Sequence, residues 1–251
     1  MTPLDFMIVG AQKCGTTALA SFLNEHPQIR MSNPKEVHLF DDPESIGMSR
    51  KEIADHYARV FPDASDHVRG EATPIYFYYS EIAERLKDYN PALKVIVLLR
   101  DPVARAYSHY RMEFERGNET LSYWRALLAE PLRLRADRDK YEKDSAHRRF
   151  SYRDRGCYST QLLSIYRCFP SQQVLVLNNF HLRHRHDTTM TRVFDFLKVP
   201  DRKVATQSIF SRDTDYGDVP VSSWLLRLSY IKERSRLQRL VDFDVKRWTL
   251  I

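Results

Sequence analysis

"FMIVGAQKCGTT", residues Phe6 to Thr17, decides how the rest of the chain is read. Residues 6–9 are a short apolar run ending at Gly10, the pattern of a buried strand that feeds a glycine turn. Thr16 or Thr17 then opens a helix that runs to about Glu25 and is ended by His26-Pro27. A strand, a glycine loop and a helix in succession present backbone N–H groups and a positive helix end to an anion. Gly10 and Gly15 have the spacing of the phosphate-binding pattern G-x-x-x-x-G-K-[ST]. Thr16, however, stands where that pattern has lysine, and Lys13 sits inside the loop. Three readings follow from the loop alone: a damaged ATP site, a coincidental strand–helix turn, or a cradle for a different anion.

The chain around the loop alternates strands with helices. Lys94–Leu99 is apolar without interruption after its lysine, as in a parallel strand covered on both faces. It stops at Arg100-Asp101-Pro102, and a helix is expected from about Val103. Residues 174–177 repeat the apolar pattern, Ile29–Met31 reads as a short strand, and 71–74 as a strand end or loop. Helices are expected over 50–61, 80–89, 158–168 and 188–197, and again in the tail from Val221. The stretch 130–155, dense in charge, reads as a solvated helix and loop. No repeat or linker interrupts the pattern. The expectation is therefore a single α/β domain over residues 1–251. It is P-loop-like, with a mostly parallel central sheet flanked by helices on both faces.

Composition narrows the classes. A 251-residue chain with 43% hydrophobic residues can bury one substantial core, and 12% aromatics argue against disorder. The formal charge of +6 suits an anionic ligand but does not by itself separate a nucleotide from nucleic acid. The N-terminus has no basic segment leading into a long apolar run, and no stretch approaches the roughly 20 apolar residues of a membrane span. No signal peptide is expected, and the cytoplasm is the expected location. Cys14, Cys157 and Cys168 form no C-x-x-C and read as reduced thiols. "HLRHRH", His181 to His186, reads as a basic loop, since no acid or cysteine stands at ligand spacing.

The end of the 94–99 strand says more about the anion. Magnesium-dependent NTPases hold their metal with the Ser/Thr after the loop lysine and with an Asp at a strand end. Here the strand ends in Arg100, which points to a second anionic group neutralised without metal. A guanidinium at that place, with the Ser108 hydroxyl on the following helix, can grip one phosphate by charge-assisted bonds. The plainer alternative is an ion pair between Arg100 and Asp101 or another acid.

Three segments together resemble the sulfotransferases that use 3′-phosphoadenosine 5′-phosphosulfate (PAPS), and among them the heparan-sulfate-type branch and its bacterial relatives. "FMIVGAQKCGTTALASFLNEHPQI" is similar to that family's 5′-phosphosulfate loop, here 10–17. "PKEVHLFD" is similar to its catalytic segment, here 34–41. "KVIVLLRDPVARAYSHY" is similar to its 3′-phosphate motif, here 100–108. "RGCYSTQLLSIYRCFPSQQVLVL" matches more weakly, and the likeness spans residue 6 to about 197. The resemblance implies sulfuryl transfer from PAPS to a hydroxyl on a saccharide or natural-product acceptor, with no metal and no nucleic-acid partner. Lys13, Cys14, Gly15, Thr16 and Thr17 would hold the 5′-phosphosulfate, and Lys13 would offset charge on the leaving phosphate. Arg100 and Ser108 would hold the 3′-phosphate. Arg105 takes the second arginine of that pattern or a structural ion pair.

Within the catalytic segment the resemblance makes Glu36 the general base. His38 lies on the same face if the segment is extended, and would orient the acceptor or share the base work. Asp41 would orient a neighbour or a substrate hydroxyl, and Lys35 would touch cofactor or acceptor. The chain departs from the family at two places. Some relatives carry a lysine where Ala72 stands in "EATP". Many also have a glycine- and lysine-rich loop near the C-terminus, where "SRDTDYGDVP" leaves Arg212 as the substitute. A P-loop kinase and a non-catalytic nucleotide- or polyanion-binding protein are the alternative readings. The missing G-K-[ST] weakens the first, and the second would make Glu36 and Lys13 dispensable.

Overall fold

Five short strands form one all-parallel sheet in the order β2-β3-β1-β4-β5. They are β1 (Phe6–Gly10), β2 (Ile29–Met31), β3 (Val68–Glu71), β4 (Lys94–Leu99) and β5 (Val174–Asn178). The computed structural model describes residues 3–61, 66–205, 223–245 and 248. β1 is buried at every residue and β4 at every residue but Lys94, which is why neither shows polar alternation. The chain leaves β1 towards β2 on one side of the sheet and leaves β4 towards β5 on the other. The C-terminal ends of β1 and β4 thus mark the topological switch point, where open α/β sheets bind ligands.

The α-helices among the described residues are α1 (Thr16–Asn24), α2 (Arg50–Val60), α3 (Ile82–Tyr89), α4 (Pro102–Glu115), α5 (Tyr123–Ala136), α6 (Ala146–Arg149), α7 (Tyr158–Cys168), α8 (Asn179–His184), α9 (His186–Leu197), α10 (Trp224–Ser229) and α11 (Ile231–Leu237). The fold is the expected P-loop-like α/β type. Its contacts divide into two compact units, one comprising Met1–Leu99 and Leu163–Ser211 and the other Arg100–Leu162 and Arg212–Ile251. The whole sheet belongs to the first unit.

The second unit has its own core of Val103, Ala106, Tyr123, Ala126, Tyr152, Leu226 and Tyr230. Asp101 caps α4, accepting from the N–H groups of Val103 (2.8 Å) and Ala104 (3.0 Å), with Pro102 at the first helical position. Arg105 is fully buried and donates to the carbonyl of Tyr152, so it holds backbone, and among the described residues no ion pair joins it. The stretch 130–155 is not simply solvated. Glu130 is 2% exposed, and its carboxylate accepts from the N–H groups of Arg153 and Asp154; Arg155 is 3% exposed. Burial pushes the Glu130 carboxyl up to about 7 against those two hydrogen bonds. Charge density misled here because Glu130 finds its partners more than twenty residues on, while Arg155 turns inward onto the carbonyls of His147 and Arg148.

Candidate active site

The loop between β1 and α1 is held open by its glycines. A Cβ on Gly10 would lie 2.3 Å from the Cβ of Phe77, so the strand can end there only without a side chain. Gly15 caps α1 at φ 92°, a conformation open to glycine, and no side chain caps the N–H groups of the first turn. Asn179 Nδ2 donates to the carbonyl of Cys14 at 2.8 Å and closes the loop from below. Ala11 N–H donates to Leu98 at 2.8 Å, and Cys14 N–H to Ala11 at 3.1 Å. Cys14 therefore gives both its side chain and its N–H to the interior. Both brace the loop. Lys13 stands at φ 67°, which a non-glycine residue keeps only where its surroundings over-determine it.

The catalytic segment takes neither of the regular conformations. His38 has φ 60°, so the extended geometry expected for 36–38 does not occur. The side chains meet all the same, through a turn. Thr17 Oγ1 accepts from Lys35 Nζ at 2.9 Å, and that ammonium pairs with Glu36 at 2.8 Å. Glu36 faces His38 Nε2 at 3.4 Å, and His38 Nδ1 faces Asp41 at 3.0 Å. The loop hydroxyl, a cation, a carboxylate, an imidazole and a second carboxylate thus form one chain. Asp41, expected to orient a neighbour or a substrate hydroxyl, is fully buried and bonded to a neighbour, the His38 imidazole. Glu36 and His38 keep about two-fifths of their side chains exposed, so both are open to an acceptor.

The charges in this chain support one another. Burial alone would raise Glu36, but the His38 and Lys35 hydrogen bonds and charges outweigh it and hold the carboxyl at about 2. Burial alone would lower His38, but the hydrogen bonds to Asp41 and Glu36 outweigh it and raise the ring to about 9. The raised histidine stabilises the fold fully below its ordinary 6.5, and that contribution is lost as pH rises through 9. The lowered glutamate stabilises it fully above its ordinary 4.5, and that contribution is lost as pH falls through 2. Asp41→Asn should bring the His38 ring back towards 6.5 in an NMR titration. An unchanged midpoint near 9 would show that Asp41 does not hold the ring.

Residues 72–76 support the segment from beneath, whereas the sequence shows 71–74 only as a strand end or loop with Ala72 at a position where some relatives carry lysine. Ala72 N–H donates to the Lys35 carbonyl at 3.2 Å, Val37 N–H to Thr73 Oγ1 at 3.2 Å, and Phe40 N–H to the Tyr76 hydroxyl at 3.2 Å. The "EATP" stretch was the available signal. Arg100 and Ser108 belong to the second unit and are both buried, at 4% and 7% exposed. The Arg100 carbonyl accepts from the Tyr158 hydroxyl at 3.0 Å. Arg212 lies outside the described residues. The "HLRHRH" stretch is not a loop but the end of α8 and the start of α9. His186 is buried there, with Nε2 3.0 Å from the Val204 carbonyl and its ring edge-on to Phe22. Among the described residues no group of three or more His, Cys, Asp or Glu is placed to hold a metal, and no helix is long and apolar enough to cross a membrane.

Known proteins share this arrangement of strand, loop and segment. The sulfotransferase domain family matches residues 3–214. Human heparan sulfate glucosamine 3-O-sulfotransferase 5 is 31% identical over 129 residues, covering 50% of this chain and 36% of that protein. Human bifunctional heparan sulfate N-deacetylase/N-sulfotransferase 2 is 29% identical over 208 residues, covering 77% of this chain and 22% of that protein. The chain thus spans little more than a third of these curated relatives at most. The crystal structure of a sulfotransferase from Alicyclobacillus acidocaldarius is 28% identical, with 99% of both chains covered and a TM-score of 0.81.

Proposed function

The chain belongs to the sulfotransferase domain family, whose members are transferases of sulfuryl groups, and from that premise we propose that it transfers the sulfuryl group of PAPS to a hydroxyl of a saccharide or natural-product acceptor. The observation that carries this reading is the chain Thr17–Lys35–Glu36–His38–Asp41, which links a phosphate-type loop to an exposed, ionised carboxylate. The acceptor oxygen attacks sulfur as the bond from sulfur to the 5′-phosphate oxygen breaks. Glu36 takes the acceptor proton. Its low pKa is no obstacle, because an alcohol oxygen that has begun to bond sulfur carries positive charge and is far more acidic than a free hydroxyl. Lys13 offsets the charge that develops on the leaving phosphate.

In this reading Gly15, Thr16 and Thr17 offer the first-turn N–H groups and hydroxyls to the 5′-phosphosulfate. Arg100 and Ser108 take the 3′-phosphate. Lys35 supplies the cation that some relatives place at the position of Ala72. The support is local: Ala72 N–H is bonded to the Lys35 carbonyl, and the Lys35 ammonium already bridges the loop and the base.

Adenosine 3′,5′-bisphosphate should bind far more tightly than AMP. A charge-assisted contact to the extra phosphate contributes roughly 1.5–3 kcal/mol, which is about ten- to a hundredfold in affinity. Calorimetry on the two nucleotides measures the difference directly. Equal affinities would remove the 3′-phosphate assignment of Arg100 and Ser108.

A further inference from the structure

We propose that Asn179 is a positioning residue for the anion loop: by holding the Cys14 carbonyl inward, its side chain turns the Gly15 N–H outward, towards the 5′-phosphosulfate. The proposal rests on the reading of the loop between β1 and α1 as the seat of that group. Asn179 is the first residue of α8, directly after β5, and is 4% exposed. Its neighbour Asn178 uses its side chain locally, capping α8 by accepting from the Phe180 N–H at 2.9 Å. Asn179 instead reaches away from its own helix. Its Nδ2 donates to the carbonyl of Cys14 at 2.8 Å, 165 residues earlier in the chain.

The Cys14 carbonyl and the Gly15 N–H belong to one peptide plane and, across a trans bond, point in opposite directions. A donor that fixes one of them therefore fixes the other. With the carbonyl drawn to a buried amide, the N–H lies on the other side of the plane, where among the described residues no acceptor takes it. Gly15 is itself partly exposed, and it leads into α1, whose first-turn N–H groups no side chain caps. The Gly15 N–H thus joins the donors at the positive end of that helix. Residue 15 does not hold the plane unaided. It stands at φ 92°, and glycine accepts φ of either sign, so a flip of the plane meets no steric barrier there. The flipped plane presents the Cys14 carbonyl, with its partial negative charge, where an anion has to sit. The bond from Asn179 selects the other setting.

The packing around Gly15 shows how close the amide comes. A Cβ on Gly15 would lie 2.6 Å from Asn179 Nδ2 and 3.5 Å from Leu98 Cδ2. A side chain at residue 15 would therefore push the amide off the carbonyl. The sheet order places Asn179 for this contact. β1 and β5 flank β4, and Asn178 pairs with Leu99 at the end of β4. The next residue, Asn179, thus crosses the end of β4 beside Leu98 and meets the loop that follows β1. A role in filling space would be met by any side chain of this shape. Holding the carbonyl needs an N–H, and that difference separates the two roles by experiment.

The test compares the natural protein with Asn179→Leu, which keeps the branched shape without a donor, and with Asn179→Asp, which replaces the donor by an acceptor. Calorimetry is run with adenosine 3′,5′-bisphosphate and with adenosine 3′-monophosphate, which lacks the 5′-phosphate. The natural protein should bind the bisphosphate more tightly. In both variants that advantage should shrink by roughly tenfold or more, the worth of one hydrogen bond to a charged group, and further in Asn179→Asp than in Asn179→Leu. Affinity for the 3′-monophosphate should stay as it is, which also shows that the variants are folded. By NMR, the Gly15 amide proton of the natural protein should move downfield with the bisphosphate and not with the monophosphate. In Asn179→Leu that response should be lost. None of these readouts needs turnover. An unchanged advantage in both variants, equal losses for the two nucleotides, or a Gly15 amide that ignores the bisphosphate in the natural protein overturns the proposal and leaves the loop reading standing. Equal binding of the two nucleotides by the natural protein overturns the loop reading itself, and the proposal with it.

Discussion

Glu36→Gln should lower turnover by roughly 10²–10⁴, the range typical of a lost general base, while affinity for adenosine 3′,5′-bisphosphate stays as it is. The amide keeps the shape of the carboxylate and can still hydrogen-bond, but it cannot accept the acceptor's proton. Two groups in the segment compete for the role, and their charges separate them. The His38 ring is raised to about 9, so at neutral pH it already carries the proton that a base would have to accept. Glu36 is held at about 2 and is ionised throughout the working range. In the proposed reaction His38 thus orients and charges the base but does not replace it. His38→Ala should therefore cost less than Glu36→Gln, because the carboxylate keeps its Lys35 partner at 2.8 Å. Near-normal turnover in Glu36→Gln together with abolished turnover in His38→Ala would hand the role to the histidine. If neither change affects an acceptor that is demonstrably sulfated, the chemistry lies outside residues 34–41.

Local pattern made the frame of this site legible, and distant contacts hid the rest. Lys94–Leu99 could be read to the residue because a strand buried on both faces must be apolar at every position. The loop could be read because strand, glycine spacing and helix are contiguous. "PKEVHLFD" contains the residues that meet in one chain of contacts but does not show their conformation. Nothing within it tells that His38 turns to positive φ, since the contacts that impose the turn come from Thr73 and Tyr76 more than thirty residues on. The same reason explains Glu71. Its neighbours in sequence suggest only a strand end, while its full burial and the bond it accepts from the Tyr57 hydroxyl come from packing against α2. Cys14 and Asp41 show the same limit from the other side. Both stand at motif positions, and only burial shows that they face inward. A motif carries residue identity forward, but which way each side chain faces is a property of the packed fold.

Lys13→Ala should lower turnover by about 10²–10³, the loss typical when one donor to a developing oxyanion is removed, and should also weaken nucleotide binding. The double effect separates it from Glu36→Gln. In the proposed reaction the base faces the acceptor and matters only to the transition state, whereas the loop lysine faces a phosphate that is anionic before and after transfer and gains charge during it. Binding energy common to both states lowers KM, and the additional part raises kcat. Both constants should therefore worsen, kcat more than KM. The backbone supplies a control. Lys13 sits at φ 67°, where a residue with a Cβ carries a cost of roughly 1–2 kcal/mol that glycine avoids. Lys13→Gly should then fold at least as stably as the natural protein in thermal unfolding and still be as inactive as Lys13→Ala. A Lys13→Gly protein that keeps full turnover would show that the loop needs only its backbone donors. A loss of activity that tracks a loss of stability would show that the lysine shapes the loop and does not act on the leaving phosphate.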